Sequence, residues 1–275
     1  MGELENIPPG VDPTKPSAGR LYDHYLGGTE YLEVDRIAAD RIRAKVPELE
    51  DIVWSNRGFL QRASRWLAAE PGIRQFIDIG AGLPTRNNTH EAAQSVAPDA
   101  RTVYVDNDPM ILAHARSLLV GTKHTAFITG DLRQPEGILE NPELRELIDL
   151  EQPTALVLAA ITHFISDEQD PWGLVAGYMK ALAPGSYLVL SHITNDKVSP
   201  EGVQAFVDVY KNASEELFFR SRAEIERFFD GIELVPPYPG AEPRVSFTGV
   251  WGSENPEEAD SEGSRWGLCG VARKP

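Results

Sequence analysis

The 275-residue sequence has one cysteine, a deficit of positive charge and no long apolar run, and each absence narrows what it encodes. A lone cysteine, Cys269, cannot form an intramolecular disulfide, and in an apolar segment it is expected to be a small buried hydrophobic residue. The 26 basic and 42 acidic residues give a net charge of −16, which disfavours nucleic acid and anionic membranes as partners. No apolar run is long enough for a membrane span and no basic-then-apolar leader is present, so we expect a cytoplasmic protein.

The rest of the composition is that of a globular protein, and it divides into three segments. Hydrophobic residues make up 41% of the chain, which is enough for one large core. Residues 1–19 contain four prolines and little to bury, which predicts a flexible lead. Residues 20–72 have helical apolar spacing and end at Pro71-Gly72, which predicts a helical cap. Residues 73–275 are expected to form the main, ligand-binding domain.

Residues 73–275 alternate between strand-like and helical segments, which predicts an α/β fold with a doubly wound, mostly parallel sheet. Prolines that directly follow Asp108, Asp170 and Ser199 mark three helix starts. The last strand-like runs follow one another without helices between them, which favours an antiparallel edge. The predicted strands cover 75–79, 102–105, 126–129, 155–159 and 187–191 in the parallel part, and 232–235, 245–250 and 266–272 at the edge.

The most informative motif joins the ends of the first two strands. An apolar run leads into Gly80-x-Gly82, and the next strand ends at Asp106, where a doubly wound sheet places a ribose diol. Thr85 stands where a dinucleotide-binding motif has its third glycine, and Asp78 would repel a phosphate and attract a cation. A nucleoside joined to a cationic amino acid meets these conditions, so the motif predicts S-adenosylmethionine as the cofactor.

Six stretches carry a more specific signal: residues 17–28 (SAGRLYDHYLGG), 35–36 (DR), 78–85 (DIGAGLPT), 88–91 (NTHE), 104–109 (YVDNDP) and 114–116 (HAR). Together they closely resemble an actinobacterial family of predicted S-adenosylmethionine-dependent methyltransferases that was formerly a domain of unknown function. The resemblance covers nearly the whole chain. It implies a class I methyltransferase fold, with a seven-stranded sheet whose last strand is inserted antiparallel, and it implies no particular substrate.

The resemblance implies how the first two strand ends hold the cofactor. Gly80 and Gly82 would let the backbone approach the methionine part of the cofactor. Asp78 would hold the ammonium group of that part directly or through water. Asp106 would accept hydrogen bonds from both ribose hydroxyls, a role that suits a carboxylate.

Contacts with adenine are expected after the second and third strands. In this family Asn107 and Asp108 would border the adenine ring. Asp131 follows Gly130 at the end of the third strand, where an acidic residue commonly accepts from the adenine amine. The alternative is that Asp131 caps a turn, as Asp after Gly often does.

Tyr22 and Tyr25 are further cofactor-site candidates, because in this fold the amino-terminal helices cover the mouth of the cofactor site. An aromatic ring there can contact the sulfonium by cation–π attraction. Aromatic pairs on a helix also anchor that helix to the sheet. We expect packing for one of the two tyrosines and a role in the pocket for the other.

Two histidines are candidates for a catalytic base. His163 and His192 follow the fourth and fifth strands, at the sheet edge where α/β proteins bind ligands. Imidazole titrates near neutrality, so either residue could deprotonate a nucleophile. His163 could equally be a partly buried histidine bonded to the backbone, and methyl transfer often needs positioning without a base.

The sequence therefore predicts an enzyme that transfers a methyl group from S-adenosylmethionine to a small molecule. A regulatory protein that binds the cofactor without turnover is an alternative, since a fold does not fix an activity. An NAD-dependent oxidoreductase is a further alternative. The acidic stretch at 253–264 lacks an ordered ligand spacing, so we expect no metal.

Overall fold

The computed structural model describes residues 7–83, 88–118 and 122–275, and Pro84 and Thr85 of the loop after the first strand lie outside these ranges. Within them, no helix combines the length and the apolar character that crossing a bilayer requires. The helices are α1 (Ala18–Tyr25), α2 (Glu33–Arg43), α3 (Leu49–Ala69), α4 (Thr89–Gln94), α5 (Pro109–Leu118), α6 (Pro135–Leu139), α7 (Pro142–Leu147), α8 (Pro171–Ala181), α9 (Pro200–Tyr210) and α10 (Arg222–Glu226). The strands are β1 (Gln75–Ile79), β2 (Arg101–Asp106), β3 (Thr125–Thr129), β4 (Ala155–Ala159), β5 (Tyr187–Ile193), β6 (Glu233–Leu234), β7 (Ser246–Phe247) and β8 (Gly267–Arg273).

The described strands form one sheet in the order β3-β2-β1-β4-β5-β8-β6, with β7 also paired to β8. Strands β1 to β5 are parallel and β8 is antiparallel to β5, which confirms the predicted mixed sheet. The sheet has eight described strands rather than the seven expected, because β6 and β7 pair with different parts of β8. The strand order reverses between β1 and β4, and such a switch point is where open α/β sheets bind ligands.

The sequence predicts a helix start correctly where the predicted capping residue itself makes the capping hydrogen bond. The side chains of Asp170 and Ser199 accept hydrogen bonds from the N–H groups of Gly173 and Gly202, which starts α8 and α9 as predicted. The predicted strand at 245–250 is wrong in length. Only Ser246–Phe247 pairs with β8, because the next residues turn back and the Val250 N–H bonds to the Phe247 carbonyl.

Helices α1, α2 and α3 form the cap, and they meet α9 and Trp266 in a hydrophobic cluster of their own. A buried ion pair fixes the start of the cap, since Arg20 Nε lies 2.6 Å from Asp35 Oδ2. The Asp35 carboxylate also accepts hydrogen bonds from the backbone N–H groups of Ser17 and Leu32. The cap is thereby joined to the chain that precedes α1.

Cys269 is buried in β8, as expected for a small hydrophobic residue.

Candidate cofactor and substrate site

The loop after β1 is shaped by two glycines with left-handed backbone. Gly80 has φ +74° and Gly82 has φ +66°, values that side-chain-bearing residues rarely adopt. A Cβ on Gly80 would clash with the side chain of Ile161, so the packing also requires glycine there. The Gly80 N–H donates to the Val105 carbonyl, which ties the loop to β2.

Asp106 ends β2 and faces this loop. Its Oδ2 accepts from the Gly82 N–H at 2.9 Å and its Oδ1 from the Asp108 N–H at 3.0 Å. The residue is 8% exposed, and burial raises its pKa to about 6 in spite of these hydrogen bonds. A carboxylate has about four acceptor positions, so this fixed group still has capacity for donors from a ligand.

Asp78 near the end of β1 is the second buried carboxylate of the site. Its Oδ2 accepts from the Thr89 hydroxyl at 2.6 Å. Burial raises its pKa to about 6, opposed by the Thr89 hydrogen bond and by the charge of Arg57, while the charge of Asp106 adds to the rise. Two carboxylates that interact at adjacent strand ends give this region a concentrated negative charge at neutral pH.

The main cavity of about 500 Å³ lies between these strand ends and the cap. This is within the size range of small-molecule sites. Its sheet end is lined by the Asp78 and Asp106 carboxylates and by the glycine loop. The part lined by residues of α1, α3 and α9 we call the cap-side half; its lining includes Tyr25, Ile52, Val53, Phe206 and Tyr210.

A smaller cavity of about 50 Å³ is lined by Asn107 and Asp131, and it shares Gly80 and Asp106 with the main cavity. The Asp131 carboxylate accepts from the backbone N–H and from Nε of Arg133, at 2.9 Å in both cases. Burial raises the pKa of Asp131, but the Arg133 hydrogen bonds outweigh it and the pKa is lowered overall. The structure thus has the turn cap that was one of the two expectations for Asp131; the adenine contact stays a prediction.

The two histidines lie at the predicted rim of the sheet and line the main cavity. Both ring nitrogens of His192 are engaged, since Nδ1 donates to the Ile193 carbonyl at 2.6 Å and Nε2 accepts from Arg220 at 2.7 Å. His163 Nδ1 accepts from the Ile193 N–H at 3.4 Å, which leaves the proton on Nε2. Burial and the Arg220 charge lower the pKa of His163 to about 3.

A role as general base stays a prediction for both histidines, and the contacts of their rings bear on it directly. A general base needs a free lone pair and a pKa near the working pH. His192 has no free nitrogen among the described contacts, and His163 is a neutral donor bonded to the backbone, which was its alternative interpretation. Burial of both rings is the first reason for their lowered pKa values, and the charge of Arg220, which is 1% exposed, further disfavours a second cation beside it.

Asn56 on α3 is a site residue that the sequence analysis missed. Its Oδ1 accepts from the Ser191 hydroxyl at 2.6 Å, and its Nδ2 donates to the Tyr22 hydroxyl at 2.9 Å. Ser191 in turn accepts from the N–H of Ala160, which has φ +57° at the end of β4. A polar chain therefore links the cap to two strand ends. Nothing in the local sequence distinguishes Asn56 from other polar residues of an amphipathic helix.

The segment before α1 lines the cavity and contacts the residues that follow β2. The Ser17 hydroxyl donates to Asp108 Oδ2 at 2.9 Å. Gly10 packs closely on Pro109, since a Cβ added to this glycine would lie 3.3 Å from the proline ring. The Pro16 carbonyl accepts from the Ser214 N–H. Residues 10–17 are thus held at several points beside the predicted cofactor site by contacts with residues that are distant in sequence.

Comparisons with known proteins agree with this geometry. The sequence model of the S-adenosyl methyltransferase family matches residues 5–275. A candidate methyltransferase from Thermobifida fusca YX is 42% identical, with 97% of each chain covered and a TM-score of 0.88. A DUF574 family protein from Streptomyces avermitilis MA-4680 is 38% identical, with 96% of this chain and 99% of that chain covered and a TM-score of 0.89. None of the curated proteins matches the chain.

Proposed function

The chain belongs to the S-adenosyl methyltransferase family, and from this premise we propose that it binds S-adenosylmethionine at the sheet end of the cavity and methylates a small molecule in the cap-side half. The observation that carries the proposal is the pair of buried carboxylates, Asp78 and Asp106, in one cavity at adjacent strand ends. Titratable groups with strongly shifted pKa values cluster at functional sites. Negative charge there suits a cationic amino acid and a diol, and it disfavours a phosphate.

The residues at the sheet end fit the cofactor. Asp106 is held by two backbone N–H groups and keeps acceptor capacity for ribose hydroxyls. Asp78 would attract the ammonium group, and Gly80 leaves the backbone open to close approach. Asn107 and Asp131 line the smaller cavity, where we place the edge of the adenine. Tyr22 lines the main cavity with its hydroxyl fixed by Asn56.

The contribution of the chain to catalysis is positioning. When bound, S-adenosylmethionine supplies an electrophilic methyl group to a nucleophilic atom of the acceptor, and its sulfur keeps the bonding electron pair. The cap and residues 10–17 restrict the access of water to the cavity. His163 offers an N–H donor that orients the acceptor, and His192 holds Ile193 and Arg220 in place. Alignment of two bound reactants can by itself supply much of the rate enhancement.

The test replaces the central carboxylate. We expect Asp106→Ala to bind S-adenosylhomocysteine about 100-fold more weakly, because it removes a charged acceptor of two hydrogen bonds. Calorimetry measures the affinity, and circular dichroism shows that the fold is kept. The control is Asp99→Ala, which removes an exposed carboxylate just before β2, at the amino end of the strand and away from the cavity.

Equal affinities of the Asp106→Ala and native proteins would refute this placement of the site. Transfer itself is tested with methyl-labelled cofactor and a metabolite extract of the source cell. A labelled product that depends on Asp106 is the expected result. Tight binding without any labelled product would refute the transfer and leave a cofactor-binding protein.

A further inference from the structure

Arg57 on α3 is a buried cation at the wall of the main cavity. The residue is 6% exposed, and its Nη2 donates to Asn88 Oδ1 at 2.7 Å, just before α4. A guanidinium presents its N–H donors in a rigid fork that matches the two oxygens of a carboxylate. Burial of such a charge is costly unless an opposite charge compensates for it. A buried guanidinium that lines a ligand cavity is therefore a candidate for binding an anionic group of the ligand.

Arg57 and Asp78 are held by two consecutive residues at the start of α4. Asn88 accepts a hydrogen bond from Arg57, and the hydroxyl of Thr89 donates to Asp78 Oδ2 at 2.6 Å. Burial raises the pKa of Asp78, and the charge of Arg57 opposes that rise, so the two groups are near enough to interact. Both side chains line the main cavity. Its wall therefore presents a positive and a negative group next to each other, just before the loop that begins at Gly80.

This pair of charges matches the charges of an amino acid. In the amino-acid end of S-adenosylmethionine the ammonium group and the carboxylate are attached to the same carbon atom, so the groups that bind them must also be neighbours. Asp78 alone would attract the ammonium group and repel the carboxylate. A carboxylate that is removed from water needs a counter-charge and hydrogen bonds. The guanidinium of Arg57 can supply both.

The other lysine and arginine residues in the described lining of the cavity, Lys15 and Arg20, are placed differently. Arg20 is paired with buried Asp35, and it also donates to the Lys15 carbonyl at 2.7 Å. Lys15 itself is exposed and lies in the segment before α1. Arg57 is therefore the lining cation that the contacts place next to Asp78.

We propose that Arg57 binds the carboxylate of the cofactor's amino-acid end while Asp78 holds its ammonium group, so that the pair selects the intact amino acid. This inference rests on the proposed function, because it adds a residue to the proposed cofactor site. Arg57 is then a specificity residue for the cofactor, and it is contributed by the cap rather than by the sheet.

The first test uses the native protein and three ligands that share the adenosine part. S-adenosylhomocysteine carries both charged groups, its decarboxylated analogue S-adenosyl-3-thiopropylamine carries only the ammonium group, and 5′-methylthioadenosine carries neither. Calorimetry at pH 8, where Asp78 is ionised, measures the three affinities. We expect S-adenosylhomocysteine to bind at least about tenfold more tightly than the decarboxylated analogue, which is the effect of hydrogen bonds to a charged group.

The second test removes one charge at a time. Arg57→Met should weaken S-adenosylhomocysteine at least about tenfold and leave 5′-methylthioadenosine unchanged. Its affinity for the decarboxylated analogue should stay the same or rise, because a cation next to the ammonium group of that ligand is gone. Asp78→Asn should instead weaken both ligands that carry an ammonium group, and it should leave 5′-methylthioadenosine unchanged.

Two further variants control for structural effects. Arg57→Lys keeps the charge without the fork, so it should show the pattern of Arg57→Met with a smaller loss, and it replaces that variant in the comparison if Arg57→Met does not fold. Arg65→Met removes an exposed arginine of the same helix, and it should change none of the three affinities. Thermal unfolding checks that each variant is folded.

A loss in Arg57→Met that is equal for all three ligands would overturn the inference, because it would show that Arg57 only joins α3 to α4 through Asn88. The native protein distinguishes failure of the inference from failure of the proposed function. If it binds none of the three ligands, the proposed function fails. If it binds S-adenosylhomocysteine and the decarboxylated analogue equally well, the inference alone fails.

Discussion

At the scale of single residues, protonation of Asp78 and Asp106 has opposite effects on folding stability and on ligand binding. Both carboxyl groups are buried, and burial raises the pKa of each to about 6. A raised pKa means that the folded protein binds these protons more tightly than the unfolded chain does. Their contribution to stability is therefore full below about pH 4 and is lost as the pH rises through 6. Binding of a cationic, hydroxylated ligand, however, requires the ionised carboxylates.

We predict that the affinity for S-adenosylhomocysteine falls by at least about tenfold from pH 6.5 to pH 5, because ligand binding must then displace protons from Asp78 and Asp106. Calorimetry across pH 5–8 measures the profile. Asp106→Asn cannot titrate at this position, so it should bind more weakly at pH 8 and show a shallower profile. A flat profile for the native protein would show that these carboxyl groups do not contact the ligand.

Gly80 and Gly82 allow a matched comparison of backbone strain and steric clash. Both have positive φ, but a Cβ on Gly82 would meet no atom of the residues that the structure describes within 4 Å, whereas one on Gly80 would clash with Ile161. We predict that Gly82→Ala lowers the free energy of unfolding by about 1–2 kcal/mol, and that Gly80→Ala lowers it by more.

Urea unfolding of Gly80→Ala, Ile161→Ala and the double variant measures the clash separately. Removing the Ile161 side chain should recover part of the loss, with a coupling energy of about 1 kcal/mol or more. Strictly additive effects would contradict the steric explanation.

The sequence predicts those positions of the site that depend on local pattern. Asp78, Gly80 and Asp106 line the cavity as the pattern suggests, because a strand, a glycine turn and a strand-ending acid each leave a signature in nearby residues. The state of His163 depends on Ile193 and on Arg220, which are distant in sequence. Tautomer and pKa follow from such contacts, so no local motif could predict that this ring is a neutral donor.

At the scale of elements, α3 joins the cap to the sheet. Its first half packs in the cap cluster through Ile52 and Val53, and its second half packs on the sheet face through Phe59 and Leu67. Asn56 lies between the two halves and bonds to β5 through Ser191. One rigid helix thus sets the position of the cap relative to the strand ends.

The start of the cap depends on Asp35, which binds Arg20 and two backbone N–H groups. We predict that Asp35→Ala lowers the free energy of unfolding by about 3–5 kcal/mol, because it leaves a buried cation unpaired. The control lies one residue along α2. Arg36 makes exposed ion pairs with Glu33 and Asp40, so Arg36→Ala should cost about 1 kcal/mol or less. Denaturant unfolding measures both, and equal losses would contradict this account.

The strands also show where a sequence pattern is sufficient to predict the bounds of an element. Strands β1 and β4 have the predicted bounds, because each is an apolar run that is buried and closed by turn residues. The bounds of the strands at the antiparallel edge of the sheet were less predictable. After Phe247 the chain turns back, with the Val250 N–H bonded to the Phe247 carbonyl, and Trp251, which follows the predicted strand, is buried beside Phe59 of α3. Contact with a helix distant in sequence, rather than strand pairing, therefore decides the path of the chain there.

At the scale of the whole molecule, the cavity separates two parts of the protein that a bound ligand would connect. The strand ends and the cap both line it, and so do several residues of the segment 10–17. A ligand held at the sheet end should therefore stabilise the fold as a unit, because it binds only the assembled walls.

We predict that S-adenosylmethionine at a hundred times its dissociation constant adds about 2.7 kcal/mol to the free energy of unfolding. This corresponds to a rise in melting temperature on the order of 5 °C for a chain of this size. NADH at the same concentration should cause no rise, and Asp106→Ala should lose the response to S-adenosylmethionine. A rise with NADH alone would favour the oxidoreductase alternative.

The position of β8 has a consequence for biosynthesis. This strand lies between β5 and the short strands β6 and β7, although it follows all of them in the chain. While residues 267–273 are still untranslated, the nascent polypeptide exposes one edge of β5, and β6 and β7 have no neighbour to pair with. The ribosome-bound intermediate therefore carries an open sheet edge of the kind that chaperones protect, and slow translation just before residue 267 would prolong that exposure.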